Sequence, residues 1–306
     1  MTYDYHRLNK SWPRSSWWKP LVTGLIALTI YIILTVIIAL PVVIYAFFAA
    51  EPGSAFERLI NEGAIDMSDP WMLAFTLASV ALMLPAIILA TLIMGPRPIG
   101  LLSSVAGRLR WGWMLRLALP ALAVFLVVFA VYVFVLPPIF GEPASMPEWG
   151  PESALLIAVA VLLVPVQATA EEYVFRGYLM QTIGTWLKHP AWAILLPVPL
   201  FVAGHIYDVW GSLDVAVFAV FAGWITWRTG GLEAAIVAHV INNGLIFILG
   251  AVNLMDTSST EGSPIGVAVT AVTLGVFGWW TVRMHERRGE ARTREVAPAP
   301  LVDAQP

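Results

Sequence analysis

The 306-residue sequence contains no cysteine, which excludes disulfide bonds, thiol nucleophiles and cysteine-ligated iron–sulfur clusters. Charged residues are also scarce, at 12% of the chain against roughly 25% in soluble domains. Hydrophobic residues make up 59%, and the mean hydropathy is +0.78. This composition excludes an ordinary soluble domain and indicates an integral membrane protein.

Apolar runs occur at lengths that can cross a bilayer, which takes about 20 residues. We predict an all-α, polytopic membrane helix bundle with about eight transmembrane helices, near residues 21–49, 71–94, 114–136, 154–182, 191–207, 213–228, 231–252 and 265–283. The first run exceeds the roughly 7–15 apolar residues of a signal peptide and is expected to be retained.

The distribution of charge supports eight spans. With the N-terminus inside, 16 of the 17 Lys and Arg residues fall in inner segments, and Arg58 alone falls outside. Cytoplasmic loops carry such an excess of basic residues. We therefore expect both termini to be cytoplasmic in a multi-pass protein of the plasma (cell) membrane.

The spans divide the chain into five parts: a cytoplasmic N-terminal segment (1–20), three N-terminal spans (21–153), a four-span core (154–252), a last span (253–283) and a cytoplasmic tail (284–306). The tail is charged and then rich in Ala and Pro, so we expect it to be disordered. Segment 97–113 fits either an amphipathic interfacial stretch or a simple loop.

The fourth span carries Glu171, Glu172 and Arg176 within otherwise apolar sequence. A charge at the centre of a spanning helix costs roughly 3 kcal/mol, so intramembrane charges usually mark a functional site. Glu172 and Arg176 are four residues apart and can pair on one helix face. Glu171 is turned about 100° away and has no opposite charge at helical spacing. We predict a supporting Glu172 and an active Glu171 that exchanges a proton.

Two other predicted spans carry His205 and the pair His239 and Asn243, which lie four residues apart. Their positions place them, with Glu171, between the bilayer centre and the cytoplasmic side, so three helices can bring them to one cavity open to the cytoplasm. Taken singly, each polar side chain also fits a plain interhelical hydrogen bond.

These residue types fit two hydrolytic mechanisms. In the first, Glu171 with His205 activates water, and His239 with Asn243 donates hydrogen bonds to the oxyanion. In the second, Glu171 and the two histidines hold zinc with an open position for water, although the HExxH spacing is absent. No cofactor is firmly predicted, and zinc stays open. The GxSG and GxGD motifs of other intramembrane proteases are also absent.

The three motifs EExxxR, FxxxH and HxxxN, in this order on separate apolar helices, resemble the CPBP family, which includes type II CAAX prenyl proteases and bacteriocin-processing or immunity proteins. Here they cover Glu171 to Arg176, Phe201 to His205 and His239 to Asn243. The resemblance covers about residues 150–250. It implies an intramembrane endopeptidase that opens to the cytoplasm and acts on a membrane-associated or lipidated protein or peptide, with Glu171 activating water. The family has been described both as metalloproteases and as metal-independent glutamate proteases.

Two other functions use the same residue types. Buried Glu and His also serve proton relays in ion-coupled transporters, and a non-catalytic immunity or scaffold protein could keep the pocket and only bind. Partners are expected to be the lipid bilayer and a membrane-bound substrate, and no nucleic acid.

Overall fold

The computed structural model describes residues 1–63, 65–141, 143 and 145–297 and consists almost entirely of helices. The α-helices are α1 (Lys19–Phe48), α2 (Ala55–Glu62), α3 (Pro70–Ala81), α4 (Met83–Met94), α5 (Trp111–Ala130), α6 (Leu136–Ile139), α7 (Ser153–Glu172), α8 (Met180–Trp186), α9 (Pro190–Leu195), α10 (Val198–Ala203), α11 (Val209–Thr229), α12 (Glu233–Gly250) and α13 (Pro264–Arg288). Two short strands, β1 (Thr2–Asp4) and β2 (Thr293–Glu295), lie near the ends of the chain. Tyr5–Ser11 and Ile99–Leu102 form 3₁₀-helices, and Val131–Val135 and Tyr173–Leu179 form π-helices.

Seven helical stretches in the described residues are long and apolar enough to span a membrane: Lys19–Phe48, Pro70–Met94, Trp111–Ile139, Ser153–Trp186, Val209–Thr229, Glu233–Gly250 and Pro264–Arg288. Each overlaps a predicted span. The prediction of a polytopic helix bundle is therefore confirmed. The largest apolar core lies among α5, α11, α12 and α13.

The predicted span at 191–207 differs from the other seven. It consists of two six-residue helices, α9 and α10, each with proline at its start. Proline has no N–H to donate, so Pro197 and Pro190 suit helix starts and interrupt a continuous helix. The second helix ends at Ala203, which leaves His205 outside it.

This broken pair still connects the two ends of the bundle. The Lys188 carbonyl lies 3.0 Å from His6 Nε2 at the end where the strands β1 and β2 lie, which we call the strand end. At the opposite end, the Asp208 carboxylate accepts hydrogen bonds from the backbone N–H groups of Gly211 and Gly262. These two donors lower the pKa of Asp208.

The N-terminal residues and the segment after α13 meet at the strand end. Strands β1 and β2 pair antiparallel, with Thr2 opposite Glu295. Tyr5 and Leu8, which follow β1, are fully buried against the bundle, and burial raises the pKa of Tyr5. The prediction of a disordered tail from residue 284 is wrong for residues 284–297, because α13 continues to Arg288 and strand pairing fixes the backbone beyond it. Residues 298–306 lie outside the described residues.

Segment 97–113 forms a loop, with one short 3₁₀ turn, before Trp111 begins α5. Arg110 ends this loop and makes a bidentate ion pair with the fully buried Glu233, at 2.8 and 3.0 Å. It also donates to the carbonyls of Thr229 and Ala291. This ion pair ties the starts of α5 and α12 to the C-terminal segment.

Candidate active site

The fourth span changes its helical form at the two glutamates. Helix α7 ends at Glu172 and continues without a break into the π-helix at Tyr173–Leu179 and then into α8. π-turns inside α-helices occur frequently at functional sites. The wider turn therefore begins directly after the pair of carboxylates.

Glu172 and Arg176 form the ion pair that their spacing predicts. Arg176 Nη1 donates to Glu172 Oε1 at 2.9 Å, and Arg176 Nη2 donates to the Ala219 carbonyl of α11 at 3.2 Å. Glu172 is 0% exposed and Arg176 is 4% exposed. The arginine thereby fixes the position of the Glu172 carboxylate within the apolar bundle.

His239 lies between the two glutamates. Its Nδ1 is 2.8 Å from Glu172 Oε1, and its Nε2 is 3.4 Å from Glu171 Oε2. Glu171 Oε2 is buried and has no hydrogen-bond partner among the described residues, so this second contact is a close approach and not a hydrogen bond. The four groups form a continuous chain from Glu171 through His239 and Glu172 to Arg176.

His205 does not make the contact with Glu171 that the sequence suggests. His239 of α12 occupies that position, because α12 packs along α7 whereas α10 ends before His205. The ring of His205 is half-buried, and its Nδ1 is 2.8 Å from the Phe201 carbonyl. A carbonyl only accepts, so Nδ1 carries the hydrogen, and in the neutral ring Nε2 is the acceptor.

Phe201 contacts several of the site side chains and was not predicted as a site residue. Its ring centroid is 4.9 Å from that of His205 and 6.3 Å from that of His239. The Arg176 guanidinium carbon lies 4.4 Å from the same centroid, in cation–π geometry. Phe218 of α11 stacks on Phe201 and packs against His239 at 4.8 Å. The first residue of FxxxH carried the sequence signal for Phe201, but its contacts depend on helix packing.

Asn243 lies one turn beyond His239 on α12. Its Oδ1 accepts a hydrogen bond from Asn242 Nδ2 at 3.1 Å. That contact fixes the orientation of the Asn243 carboxamide and leaves its own N–H groups free to donate elsewhere.

The charges of this cluster balance when it holds one extra proton. Glu171 and Glu172 carry two negative charges and Arg176 one positive charge, and all three side chains are buried. A net charge in an apolar interior is costly. His239 lies between the two carboxylates, where an extra proton would offset the excess negative charge.

The described residues contain no group of three or more His, Asp or Glu side chains arranged to hold a metal ion. The predicted zinc set needs His205 beside Glu171 and His239, and the structure does not bring it there. These residues do not fit a bound zinc ion.

Residues 151–245 match the model of the Type II CAAX prenyl endopeptidase Rce1-like family. This segment is Rce1-like. The family resemblance of the three motifs is thereby confirmed. The Rce1-like segment begins just before α7 and ends two residues after Asn243, so it includes all six predicted site residues. The match supports a CAAX-type protease function in general terms.

The chain is also similar to YyaK, an uncharacterized protein of Bacillus subtilis (strain 168). The two are 28% identical over 220 residues, which cover 64% of this chain and 71% of YyaK. No solved structure matches the chain.

Proposed function

We propose that the protein is an intramembrane endopeptidase that hydrolyses a peptide bond with water activated by Glu171. The observation that carries this proposal is the buried chain of Glu171, His239, Glu172 and Arg176 inside an apolar helix bundle. A carboxylate beside an imidazole, held in place by a second carboxylate, is a suitable arrangement for general acid–base catalysis.

The reaction begins with Glu171 ionised and the proton on His239. Glu171 takes one proton from a water molecule while the water oxygen attacks the peptide carbonyl carbon. The negative charge that develops on the carbonyl oxygen is stabilised by hydrogen bonds from Asn243 Nδ2 and His239 Nε2. Glu171 then gives its proton to the peptide nitrogen, the C–N bond breaks, and a carboxylic acid and an amine leave.

His205 acts on the other side of Phe201. Its Nε2 is the acceptor, because Nδ1 donates to the Phe201 carbonyl. It takes the proton that is released when the new carboxylic acid ionises. Glu172 and Arg176 do not contact the substrate in this mechanism; they fix the orientation and charge of His239.

The substrate we propose is a membrane-associated peptide of CAAX type that carries a prenyl group, as the family description suggests. A small cavity with room for about one water molecule lies beside Arg176. Its apolar lining includes Phe175, Ile194, Val198 and Phe201.

The test is cleavage of a library of prenylated CAAX peptides by the full chain purified in detergent. We expect wild-type protein to cleave, and Glu171→Gln to lose cleavage by about 100-fold or more, since general base catalysis contributes about 10²–10⁴. Glu261→Gln, at an exposed loop position, is the matched control and should keep full activity. A zinc chelator should leave cleavage unchanged.

Normal cleavage by Glu171→Gln would overturn the mechanism. Loss of cleavage with chelator would refute the metal-free step. Wild-type protein that cleaves no peptide while moving protons in liposomes would favour a transporter instead.

A further inference from the structure

Gln167 is the one polar residue of α7 between Ala154 and Ala168. It is 5% exposed, and its Oε1 is buried without a hydrogen-bond partner in the part of the chain that the structure describes. Unpartnered buried polar atoms are uncommon in folded proteins, and each calls for an explanation such as a bound water or a functional role.

Gln167 and Glu171 share one face of α7, since they lie four residues apart within a regular α-helical stretch. Glu171 Oε2 is also buried and without a hydrogen-bond partner among the described residues. Two hydrogen-bond acceptors without partners, Gln167 Oε1 and Glu171 Oε2, therefore lie one turn apart on the same side of the helix.

Asn243 lies at the same level across the helix interface. Helices α7 and α12 run in opposite directions and meet where Glu172 contacts His239. Gln167 is about one turn before Glu172, and Asn243 is one turn after His239, so the two carboxamides come to a common height. Gln167 thus belongs to the same part of the interior as the catalytic groups.

We propose that Gln167 Oε1 and Glu171 Oε2 together hold the water molecule that attacks the substrate. Side chains at this spacing have Cβ atoms about 5–6 Å apart, so one water molecule with two O–H···O hydrogen bonds of about 2.7–2.8 Å can reach an oxygen on each side chain. A water molecule can donate one hydrogen bond to each of the two oxygens, whereas a peptide N–H could donate to only one of them.

This arrangement also orients the nucleophile. When both hydrogens of the water are donated to protein oxygens, its lone pairs point away from those oxygens. The role of Gln167 in catalysis rests on the proposed hydrolysis, but the position of the water does not. Gln167 adds no covalent step to the reaction, since Glu171 still takes the proton.

The kinetic test compares Gln167→Met with Gln181→Met. Gln181 is buried to a similar degree in α8, and its amide donates to the Leu101 carbonyl away from the site. We expect Gln167→Met to lower kcat about 3- to 10-fold, the range of one hydrogen bond between neutral groups. KM should stay within about twofold, because the change affects the water and not substrate binding. Gln167→Glu, which keeps an acceptor oxygen, should restore part of kcat, and Gln181→Met should leave kcat unchanged.

An unchanged kcat for Gln167→Met would overturn the proposal, as would a raised KM at constant kcat. A second measurement does not depend on activity: an experimental structure that resolves ordered water. We expect a water within about 3 Å of both oxygens in the wild type and its loss in Gln167→Met. A wild-type site without that water would refute the proposal even if the protein cleaves peptides. If no peptide is cleaved, the proposed function fails. The presence or absence of this water still tests whether Gln167 and Glu171 bind it.

Discussion

Removal of the Arg176 charge should separate stability from activity. Arg176→Met leaves Glu172, which is fully buried, without its cation. Breaking a buried ion pair by removing one partner costs about 3–5 kcal/mol, mostly because the other charge stays buried and uncompensated. We expect the single variant to lose about 4 kcal/mol in its free energy of unfolding.

The double variant Glu172→Leu with Arg176→Met removes both charges and replaces them with apolar groups. Such replacements are often neutral or stabilising, so stability should return to within about 1 kcal/mol of the wild type. Activity should not return, because His239 Nδ1 loses the carboxylate that orients it. Loss of the carboxylate behind a catalytic imidazole lowers kcat by about 100-fold or more.

Reversible unfolding in mixed detergent micelles, followed by circular dichroism, measures the first quantity, and peptide cleavage measures the second. The reasoning is refuted if the double variant is as unstable as the single one. It is also refuted if the double variant cleaves at the wild-type rate, because His239 would then not need Glu172.

Three further changes test the N-terminal packing and the aromatic contacts. Burial lowers the pKa of His6 below its ordinary value of 6.5. As the pH falls below 6.5, the unfolded chain therefore binds a proton that the folded chain does not. The free energy of unfolding should be full above this pH and decline below it, and His6→Gln should flatten the decline. Gly184→Ala would place a Cβ 1.8 Å from the His6 carbonyl oxygen, so the N-terminal segment must move, at a cost of about 1–3 kcal/mol. Phe201→Leu removes the ring beside Arg176 and both site histidines, and we expect lower kcat with a smaller loss of stability than Arg176→Met causes.

Thermal unfolding as a function of pH checks the histidine change, and a decline that persists in His6→Gln would contradict it. Limited proteolysis of the N-terminal residues checks the glycine change, which should expose new cleavage sites; Gly112→Ala, where a Cβ meets open space, is the control. Peptide cleavage checks the phenylalanine change, and wild-type kcat in Phe201→Leu would show that its ring does not position the histidines.

Much of the fold follows from apolar run length and helical spacing. Both signals are local, so the seven long helices and the Glu172–Arg176 pair could be predicted from sequence. The break within the predicted span 191–207 could not be located from hydropathy, because Pro197 interrupts a run that stays apolar on both sides. Strand pairing between residues 2–4 and 293–295 was missed because its partners are distant in sequence and short.

In the candidate site, too, local features could be predicted from sequence and helix packing could not. Spacing alone separates Glu171 from the Glu172–Arg176 pair, and it places His239 and Asn243 on one face. Which histidine lies next to Glu171 depends on how α12 packs against α7, and no local pattern contains that information. The sequence therefore predicts which residues form the site better than it predicts which of them contact one another.

The short helices α9 and α10 have a consequence for the surrounding lipid. Together they extend roughly 20 Å at 1.5 Å per residue, whereas the hydrocarbon layer is about 30 Å thick. Gly204 and His205 close the second helix with backbone hydrogen bonds to Phe201 and Val202, and residues 206–208 complete the passage outside any helix and are exposed. Backbone of this kind is not stable against acyl chains, so we expect the bilayer to become thinner or to hydrate locally beside this stretch. The proposed hydrolysis needs water as its second reactant, and a thinned region beside His205 would give water a route into the membrane.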